Sequence, residues 1–369
     1  MPGRRRFGRV RKLPSGRYQA RYSGPDGVDR AAPQTFERKA DADRWLSGME
    51  AELLRGDWSA PESSRVLLGE YAAAWIRERP GLRPRTMQLY EGLVRLHIAP
   101  ALGRIPVADL TPARVRAWRA ELLAGGLGAS TVAKAYRLLR AVMGTAETDR
   151  LVRQNPCQIK GASAEHPTER PMLTVPQVYA LADAMPDRFR LLVLMGTFGS
   201  LRWGELAALT RANVDADAGL VHVRASLAEL STGQLVVGPP KSTAGRRTVA
   251  LPATMLPDLR AHLDAFTGQS SDSLVFTGPK GAPLRRSNFQ RYWRDALAGA
   301  GLVGVHFHDL RHAGNTLTAH AGATLSDLMS RMGHSSTRAA SVYLHTTSDR
   351  DRAVAQALDA LLTEQASGT

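Results

Sequence analysis

Two short stretches of small and polar residues interrupt the hydrophobic patterning of the chain, and they constrain its fold most strongly. Residues 59–64 read Ser-Ala-Pro-Glu-Ser-Ser, and residues 160–170 form a second polar stretch. The segment between them has helical spacing, whereas the segments before and after it combine strand-like and helical patterns. Stretches of this composition separate domains. We therefore predict that the 369 residues fold as three domains.

Positive charge is concentrated in the first segment. Only Asp26 and Asp29 oppose it within the first thirty residues. The basic residues there are Arg4, Arg5, Arg6, Arg9, Arg11, Lys12, Arg17, Arg21 and Arg30. Tyrosines and turn sequences at residues 14–16 and 24–27 predict short strands, and the spacing over residues 40–54 predicts a helix. A solvated basic tail would need neither the aromatic residues nor the turns.

The second segment is predicted to be a bundle of four or five helices that carries many arginines. Thr111 followed by Pro112 predicts an N-cap with proline in the first helical turn, and Gly125 and Gly126 predict the end of that helix. Asn155 and Pro156 end the region.

The third segment is predicted to be mixed α/β. Helices are expected over residues 174–185 and 189–198, and the chain is mostly helical from residue 287 onward. Three short antiparallel strands are expected over residues 220–223, 235–237 and 247–251, with turns at residues 217–219 and 243–245.

Charge and composition narrow the class of function. The net charge of +15 favours a polyanionic partner, and no apolar stretch approaches the about 20 residues of a membrane span. We therefore expect a cytoplasmic protein that acts on nucleic acid. A phosphate-binding loop is not expected at residues 233–242, because Pro239 and Pro240 lack the backbone N–H groups that such a loop requires. His308 and His312 share a helical spacing, but no adjacent Glu or Cys completes a metal site, so no metal is expected.

Four separated motifs of the third segment carry groups suited to phosphate chemistry. Each one taken alone has an ordinary structural explanation, and Lys241 has rival cations in Arg246 and Arg247. The motifs are Gly-Ser-Leu-Arg-Trp-Gly-Glu-Leu at 199–206, Pro-Lys-Ser at 240–242, His-Asp-Leu-Arg-His at 308–312, and Met-Gly-His-Ser-Ser at 332–336 followed by Tyr343. In this order, over about residues 173–343, they resemble the tyrosine recombinase (phage integrase) family.

The resemblance implies the organisation of a lambda-type integrase: multidomain, mainly α with small β-sheets. It implies an arm-type DNA-binding module of a small sheet plus a helix (1–58), a SAM-like helical core-binding domain (65–158) and a mixed α/β catalytic domain (170–350). A C-terminal tail helix (351–369) would follow. Its apolar stripe comprises Val354, Ala357, Leu358, Leu361 and Leu362. The tail could dock in cis, or in trans on a neighbouring subunit.

The resemblance also assigns roles. Tyr343 would be the nucleophile that forms a 3′-phosphotyrosine, and Arg202 and Arg311 would clamp the non-bridging oxygens. The other catalytic groups would be Lys241, which protonates the leaving 5′ oxygen, His308, a base near Tyr343, and His334, a hydrogen-bond donor to the phosphate. Glu205 would orient the cations. Met332, where the family commonly has Leu, and Ala339-Ala340-Ser341, where it is usually Thr-rich, depart from the pattern without touching these groups.

The implied function is that of a site-specific integrase that inserts or excises a phage or mobile element, needing no cofactor. Its partners would be double-stranded DNA at core-type and arm-type sites, held in part by Arg4, Arg5, Arg6, Arg9, Arg11 and Lys12. It would act as a homotetramer, with an accessory directionality factor or a host DNA-bending protein as further partners, in the nucleoid. The alternatives are a resolvase, transposon recombinase or topoisomerase of the same chemistry, or a non-catalytic DNA-binding regulator.

Overall fold

The structure, a computed structural model, describes residues 7–55, 66–165, 171–240, 242–333 and 337. They belong to two compact units, Met1–Pro167 and Thr168–Thr369. The predicted tail helix, Lys241, His334 and Tyr343 lie outside the described residues. No helix in the described part of the chain is long and apolar enough to cross a membrane. The three domain ranges stay a prediction.

The first unit begins with a three-stranded antiparallel sheet and a helix, as predicted. The strands are β1 (Arg9–Lys12), β2 (Tyr18–Ser23) and β3 (Asp29–Ala31), in spatial order β1-β2-β3, and the helix is α1 (Lys39–Arg55). Ala20 and Tyr22 alternate inward on β2, where they pack on buried Leu46 of α1. From residue 7 onward, the basic segment therefore has a small core of its own.

Residues 66–165 of the first unit are mainly helical, as predicted. They are α2 (Leu68–Glu78), α3 (Pro84–Leu93), α4 (Ala99–Leu102), α5 (Pro112–Ala124) and α6 (Ala129–Thr148), with a π-helical turn at Val94–Ile98. Thr111 caps α5 by accepting from the backbone N–H of Arg114 at 3.3 Å, which confirms the predicted start. Trp118 and Tyr136 lie in the core of this bundle.

Half of the predicted second linker is fixed on the bundle. Tyr136 Oη accepts from the backbone N–H of Ile159 at 2.8 Å, and Ala162 is buried. Glu165 accepts from Ser130 Oγ at 2.5 Å and from Arg137 Nη2 at 2.9 Å. The described residues of this stretch, up to 165, are thus held against α6.

The second unit is mixed α/β. Its helices are α7 (Val175–Asp183), α8 (Asp187–Thr197), α9 (Trp203–Ala207), α10 (Leu256–Phe266), α11 (Arg286–Gly299), α12 (Phe307–His320) and α13 (Leu325–Met332). Its strands are β4 (Val214–Asp215), β5 (Leu220–Val223), β6 (Ser226–Glu229), β7 (Leu235–Gly238) and β8 (Arg247–Ala250).

The strands form two separate small sheets. One has the order β4-β5-β8, and the other is the hairpin β6–β7. The sequence patterns predict β5, β7 and β8 but neither β4 nor β6, so β6 as the partner of β7 was not predicted. Both missed strands are short, two and four residues, and neither has a sustained alternating pattern.

Helix α8 is the buried centre of the second unit, and α12 crosses it closely. The residues from Leu191 to Thr197 are all buried, which is the environment of a helix that is apolar all round. A Cβ on Gly314 of α12 would lie 1.9 Å from the carbonyl oxygen of Thr197, so only glycine allows this crossing. The contact places the N-terminal half of α12, with His308 and Arg311, beside the end of α8.

Candidate active site

The chain turns sharply after α8, at Ser200. This residue has a φ of 51°, in the left-handed region that residues other than glycine rarely adopt. Its carbonyl oxygen accepts from Arg311 Nη1 and, at 3.4 Å, from Arg247 Nη2. A conformation of this kind persists where the surroundings hold it. Here two arginines hold the turn that leads to Arg202.

Arg202 and Glu205 are joined at the start of α9. Arg202 Nη1 donates to Glu205 Oε1 at 2.8 Å, and the backbone N–H of Arg202 donates to Glu205 Oε2 at 3.0 Å. The Arg202 side chain is 35% exposed, whereas that of Glu205 is 3% exposed. The carboxylate therefore fixes the guanidinium from the buried side. Among the described residues, Arg202 has no other side-chain bond.

Arg247, which from the sequence is a rival cation to Lys241, lies in the site. It is 7% exposed and binds both oxygens of Glu205, with Nη2 to Oε2 at 2.9 Å and Nη1 to Oε1 at 3.2 Å. Burial raises the pKa of Glu205, but the hydrogen bonds and charge of Arg247, together with those of Arg202, outweigh it and lower the pKa below its ordinary value. Glu205 is therefore an ionised, buried bridge between two arginines.

The strand pattern contains the signal that would have found Arg247. Along β8 the side chains alternate, so that Arg247 and Val249 point inward and Thr248 and Ala250 outward. An arginine on the inward face requires a buried acceptor. In contrast, Arg246 just before the strand is exposed, so the two rival cations occupy different environments.

Arg311 is buried beside this cluster. It is 3% exposed, and its Nη1 and Nη2 donate to the carbonyl oxygens of Ser200 and Met332. It therefore ties the turn before Arg202 to the end of α13. Direct contact between Arg311 and a phosphate stays a prediction.

The residues that flank Lys241 and His334 lie together, although those two residues are not described. Helix α13 ends at Gly333, which has a φ of 62°. A Cβ there would lie 2.8 Å from the carbonyl oxygen of Ala244 and 3.1 Å from Arg247 Nη1. The end of α13 thus packs on the turn that follows Lys241. Tyr343 is likewise not described.

His308 lies at the N-terminal end of α12 and is exposed. Its ring centroid is 5.0 Å from that of His312, with the rings almost perpendicular. Asp309 between them is buried and accepts from the backbone N–H of His306 at 2.8 Å, which caps the helix. Within the described ranges, no group of three His, Cys, Asp or Glu side chains is placed to hold a metal.

The predicted DNA-binding residues of the N-terminal module lie on its surface where they are described. Arg9, Arg11 and Lys12 on β1 are exposed, and Arg9 Nη2 pairs with Asp29 Oδ2 at 2.6 Å. Arg4, Arg5 and Arg6 are outside the described residues.

Three family models match the chain in the order of its segments. Residues 6–55 match the phage integrase N-terminal domain, residues 67–123 the phage integrase N-terminal SAM-like domain, and residues 171–350 the phage integrase family. The four motifs of the third segment all lie within residues 171–350.

Relatives match over nearly the whole chain. A putative prophage phiRv2 integrase of Mycobacterium tuberculosis is 38% identical over 371 residues, covering 98% of this chain and 97% of the relative. The integrase of Mycobacterium phage L5 is 34% identical over 369 residues, covering 97% of this chain and 98% of that protein.

Solved structures share the fold. The Tn1549 transposon integrase in complex with a circular intermediate DNA has a TM-score of 0.70 at 21% identity, covering 79% of this chain and 99% of its own. A lambda integrase tetramer bound to a Holliday junction has a TM-score of 0.58 at 19% identity, covering 92% and 96%. From these matches and the relatives' identity along its length, the chain belongs to the phage integrase family of tyrosine site-specific recombinases.

Proposed function

We propose that this chain is the integrase of a phage or mobile element and that it joins DNA through a 3′-phosphotyrosine bond at Tyr343. The arrangement of Arg202 carries this proposal. Its guanidinium is held by the buried carboxylate of Glu205 at 2.8 Å, yet its side chain is 35% exposed. An arginine fixed on one side and open on the other is preorganised to bind a phosphate.

In the proposed reaction the phenolic oxygen of Tyr343 bonds to the phosphorus of the scissile phosphate, and the bond from phosphorus to the 5′ oxygen breaks. The phenolic proton passes to His308, and the 5′ oxygen takes a proton from the ammonium of Lys241. One phosphate ester replaces another, so the energy of the bond is retained and the joining step runs the same transfers backwards. The reaction as proposed requires neither ATP nor a cofactor.

The cations would stabilise the charge that builds on the non-bridging oxygens. We assign direct contact to Arg202, to His334 and to Arg311, which lies buried next to Ser200. Removing one preorganised donor of this kind typically slows an enzyme by about 10²- to 10³-fold. The predicted cluster is therefore expected to dominate the rate of cleavage.

The partners follow from the two other segments. We propose that the N-terminal module binds arm-type DNA through its exposed β1 cations, and that the helical bundle and the catalytic domain bind the core site. By analogy with the lambda integrase tetramer on a Holliday junction, four copies would act together. A directionality factor or a DNA-bending protein would complete the assembly, in the cytoplasm at the nucleoid.

A nicked duplex that contains the attachment-site core tests the proposal, because the fragment beyond the nick diffuses away and traps the covalent complex. The full chain in chelator is expected to shift labelled DNA on a denaturing gel. Tyr343→Phe should abolish the shift, and Tyr179→Phe, which removes a hydroxyl elsewhere in the same unit, should retain it. A Tyr343→Phe protein that still forms the adduct or recombines DNA would refute the assignment.

A further inference from the structure

Arg247 has an acceptor for every N–H of its guanidinium. Nε donates to the carbonyl oxygen of Arg331 at 2.7 Å. Nη1 donates to Glu205 Oε1 at 3.2 Å and Gly245 O at 3.3 Å, and Nη2 donates to Glu205 Oε2 at 2.9 Å and Ser200 O at 3.4 Å. A guanidinium has five N–H groups, and these are five bonds. Arg247 therefore has no donor left for DNA.

We infer that Arg247 is a positioning residue for DNA cleavage, which holds Glu205, and through it Arg202, at a fixed place relative to the end of α13 that leads to His334. This inference rests on the roles proposed above for Arg202 and His334. Arg247 itself touches neither DNA nor the reacting atoms.

The two ends of this bridge come from distant parts of the sequence. Glu205 lies on α9, and Arg331 is in the last turn of α13, so Arg247 on β8 joins three elements. On the α13 side the packing is close, because a Cβ on Gly333 would lie 3.1 Å from Arg247 Nη1. The side chain of Arg331 adds a second tie, with Nη1 donating to the carbonyl oxygen of Ala250 at 3.1 Å. A shift of Arg247 would therefore move both Glu205 on α9 and the end of α13.

Only an arginine can make this bridge. A lysine ammonium is compact, carries three donors at one point and could neutralise Glu205. It could not also reach the carbonyl oxygens that lie on opposite sides of the planar guanidinium of Arg247. Charge neutralisation and positioning are therefore separable by Arg247→Lys, and Arg247→Gln removes both.

The test uses the full chain with Arg247→Lys and Arg247→Gln, and Arg260→Lys and Arg260→Gln as matched controls. Arg260 pairs with Asp217 at 3.3 Å on the surface, with its side chain 51% exposed. Two quantities are measured: the Kd for an intact core site, and the single-turnover rate of covalent complex formation at saturating DNA. We expect Kd to change less than about threefold for both Arg247 variants. The rate should fall by about 100-fold or more, because a displacement of about 1 Å in a reacting site costs on that order. The Arg260 variants should match the parent.

Trypsin supplies a readout that does not depend on activity. The carbonyl oxygen that Arg247 Nε binds belongs to the Arg331–Met332 peptide bond, which trypsin can cleave. Both Arg247 variants should be cut there faster than the parent, and the Arg260 variants should not.

The outcomes separate the possible roles. Full cleavage activity in Arg247→Lys would show that charge neutralisation suffices and would overturn the inference, as would an unchanged tryptic rate at Arg331. If Arg247→Gln fails to fold, Arg247→Lys carries the test. If both fail to fold, Arg247 serves stability alone and the inference is wrong. If the parent chain forms no covalent complex, the proposed function fails, whereas the tryptic rates still test whether Arg247 holds α13.

Discussion

The arginines of the N-terminal module and those of the candidate active site differ in what holds them. On the module, Arg9 and Arg21 share Asp29 at 2.6 and 2.7 Å, and the Arg9 side chain is 67% exposed. In the active site, the Arg247 side chain is 5% exposed and binds a carboxylate that is 3% exposed. Both sites pair arginine with a carboxylate. The pair on the module is exposed to water, and the pair in the active site is buried.

The ion pair on the module is exposed to solvent and can exchange its partner, whereas the buried ion pair in the active site keeps its partner. An exposed ion pair is worth about 0–1 kcal/mol, so a DNA phosphate can replace Asp29 at little cost. Breaking a buried pair by removing one partner costs about 3–5 kcal/mol. We therefore interpret the module as a docking surface and the Glu205 cluster as a fixed scaffold. Arg202 shares a property with each group, because it is held by Glu205 on one side and exposed on the other.

The largest effect is expected at Arg202. Arg202→Gln should lower the single-turnover cleavage rate by about 10²- to 10³-fold, because it removes the preorganised donor for the phosphate. The Kd for a core site should change only a few-fold, because other contacts hold the duplex. Rates measured at saturating DNA, with Arg260→Gln as the control, check this. A loss confined to Kd would show that Arg202 belongs with the docking surface.

The close crossing of α12 and α8 should be the next most sensitive point. Gly314→Ala places a Cβ 1.9 Å from the carbonyl oxygen of Thr197, and overpacking of this kind costs about 1–3 kcal/mol or more. It should also slow cleavage, because α12 carries His308 and Arg311. Denaturant unfolding and cleavage rates measure the two effects. Gly299→Ala, whose Cβ would have its nearest neighbour at 3.6 Å, is the control and should be neutral or stabilising. Equal stability of the two variants would contradict the account of this crossing.

The docking surface should respond to salt. If Arg11 and Lys12 each neutralise one phosphate, the double variant Arg11→Gln, Lys12→Gln should reduce the slope of log K against log salt on arm-type DNA by about 1.8, since each contact contributes about 0.9. The double variant should leave core-site cleavage unchanged. Deletion of residues 1–58 should also leave core-site cleavage unchanged, and it should weaken binding to arm-type DNA more than the double variant does. Titrations at several salt concentrations check this. An unaltered slope would remove β1 from the interface.

A smaller effect is expected at His262, a buried titratable group without a carboxylate to pair with. It is 4% exposed, its Nε2 lies 2.8 Å from the carbonyl oxygen of Val275, and Nδ1 has no hydrogen-bond partner among the residues that the structure describes. Burial lowers the pKa of His262, the hydrogen bond to the carbonyl oxygen of Val275 offsets part of this, and nearby Arg188 lowers the pKa further. The unfolded chain therefore binds the proton first, and the free energy of unfolding should decrease as pH falls below about 6.5. Stability curves at pH 7.5 and 5.5 for the parent and His262→Gln test this. The variant should lose less stability on acidification, and equal losses would assign the pH dependence to other groups.

Local signals in the sequence were sufficient for most elements of the fold. Thr111 with Pro112 gave the start of α5, and Thr174 forms the capping box with Gln177 that begins α7. Such signals act within one turn of the chain, so they can be read without knowing the tertiary structure. The strand β6 could not be found this way, because it is defined by its pairing with β7 and by the contact of Leu227 with Gly204 on α9.

For the active site too, the sequence predicts the residues that lie in local motifs and misses the one whose environment is formed by the tertiary structure. The motifs predict Arg202, Glu205, His308 and Arg311 as site residues, and the structure pairs Arg202 directly with Glu205, while the catalytic roles of these residues stay predictions. The burial of Arg247 was not predicted, because its environment is set by Glu205, Ser200 and Arg331, which are 42, 47 and 84 residues away in sequence. Only the folded chain brings these acceptors together.

The proposal that Tyr343 is the nucleophile is decided by the identity of the residue that becomes bound to DNA. The covalent complex trapped on a nicked core site is digested with nuclease and trypsin, and the nucleotide-bearing peptide is sequenced by mass spectrometry. We predict a single adduct on the peptide 339–350, with the 3′ phosphate attached to Tyr343. Attachment to any other residue, or through a 5′ phosphate, would contradict the account.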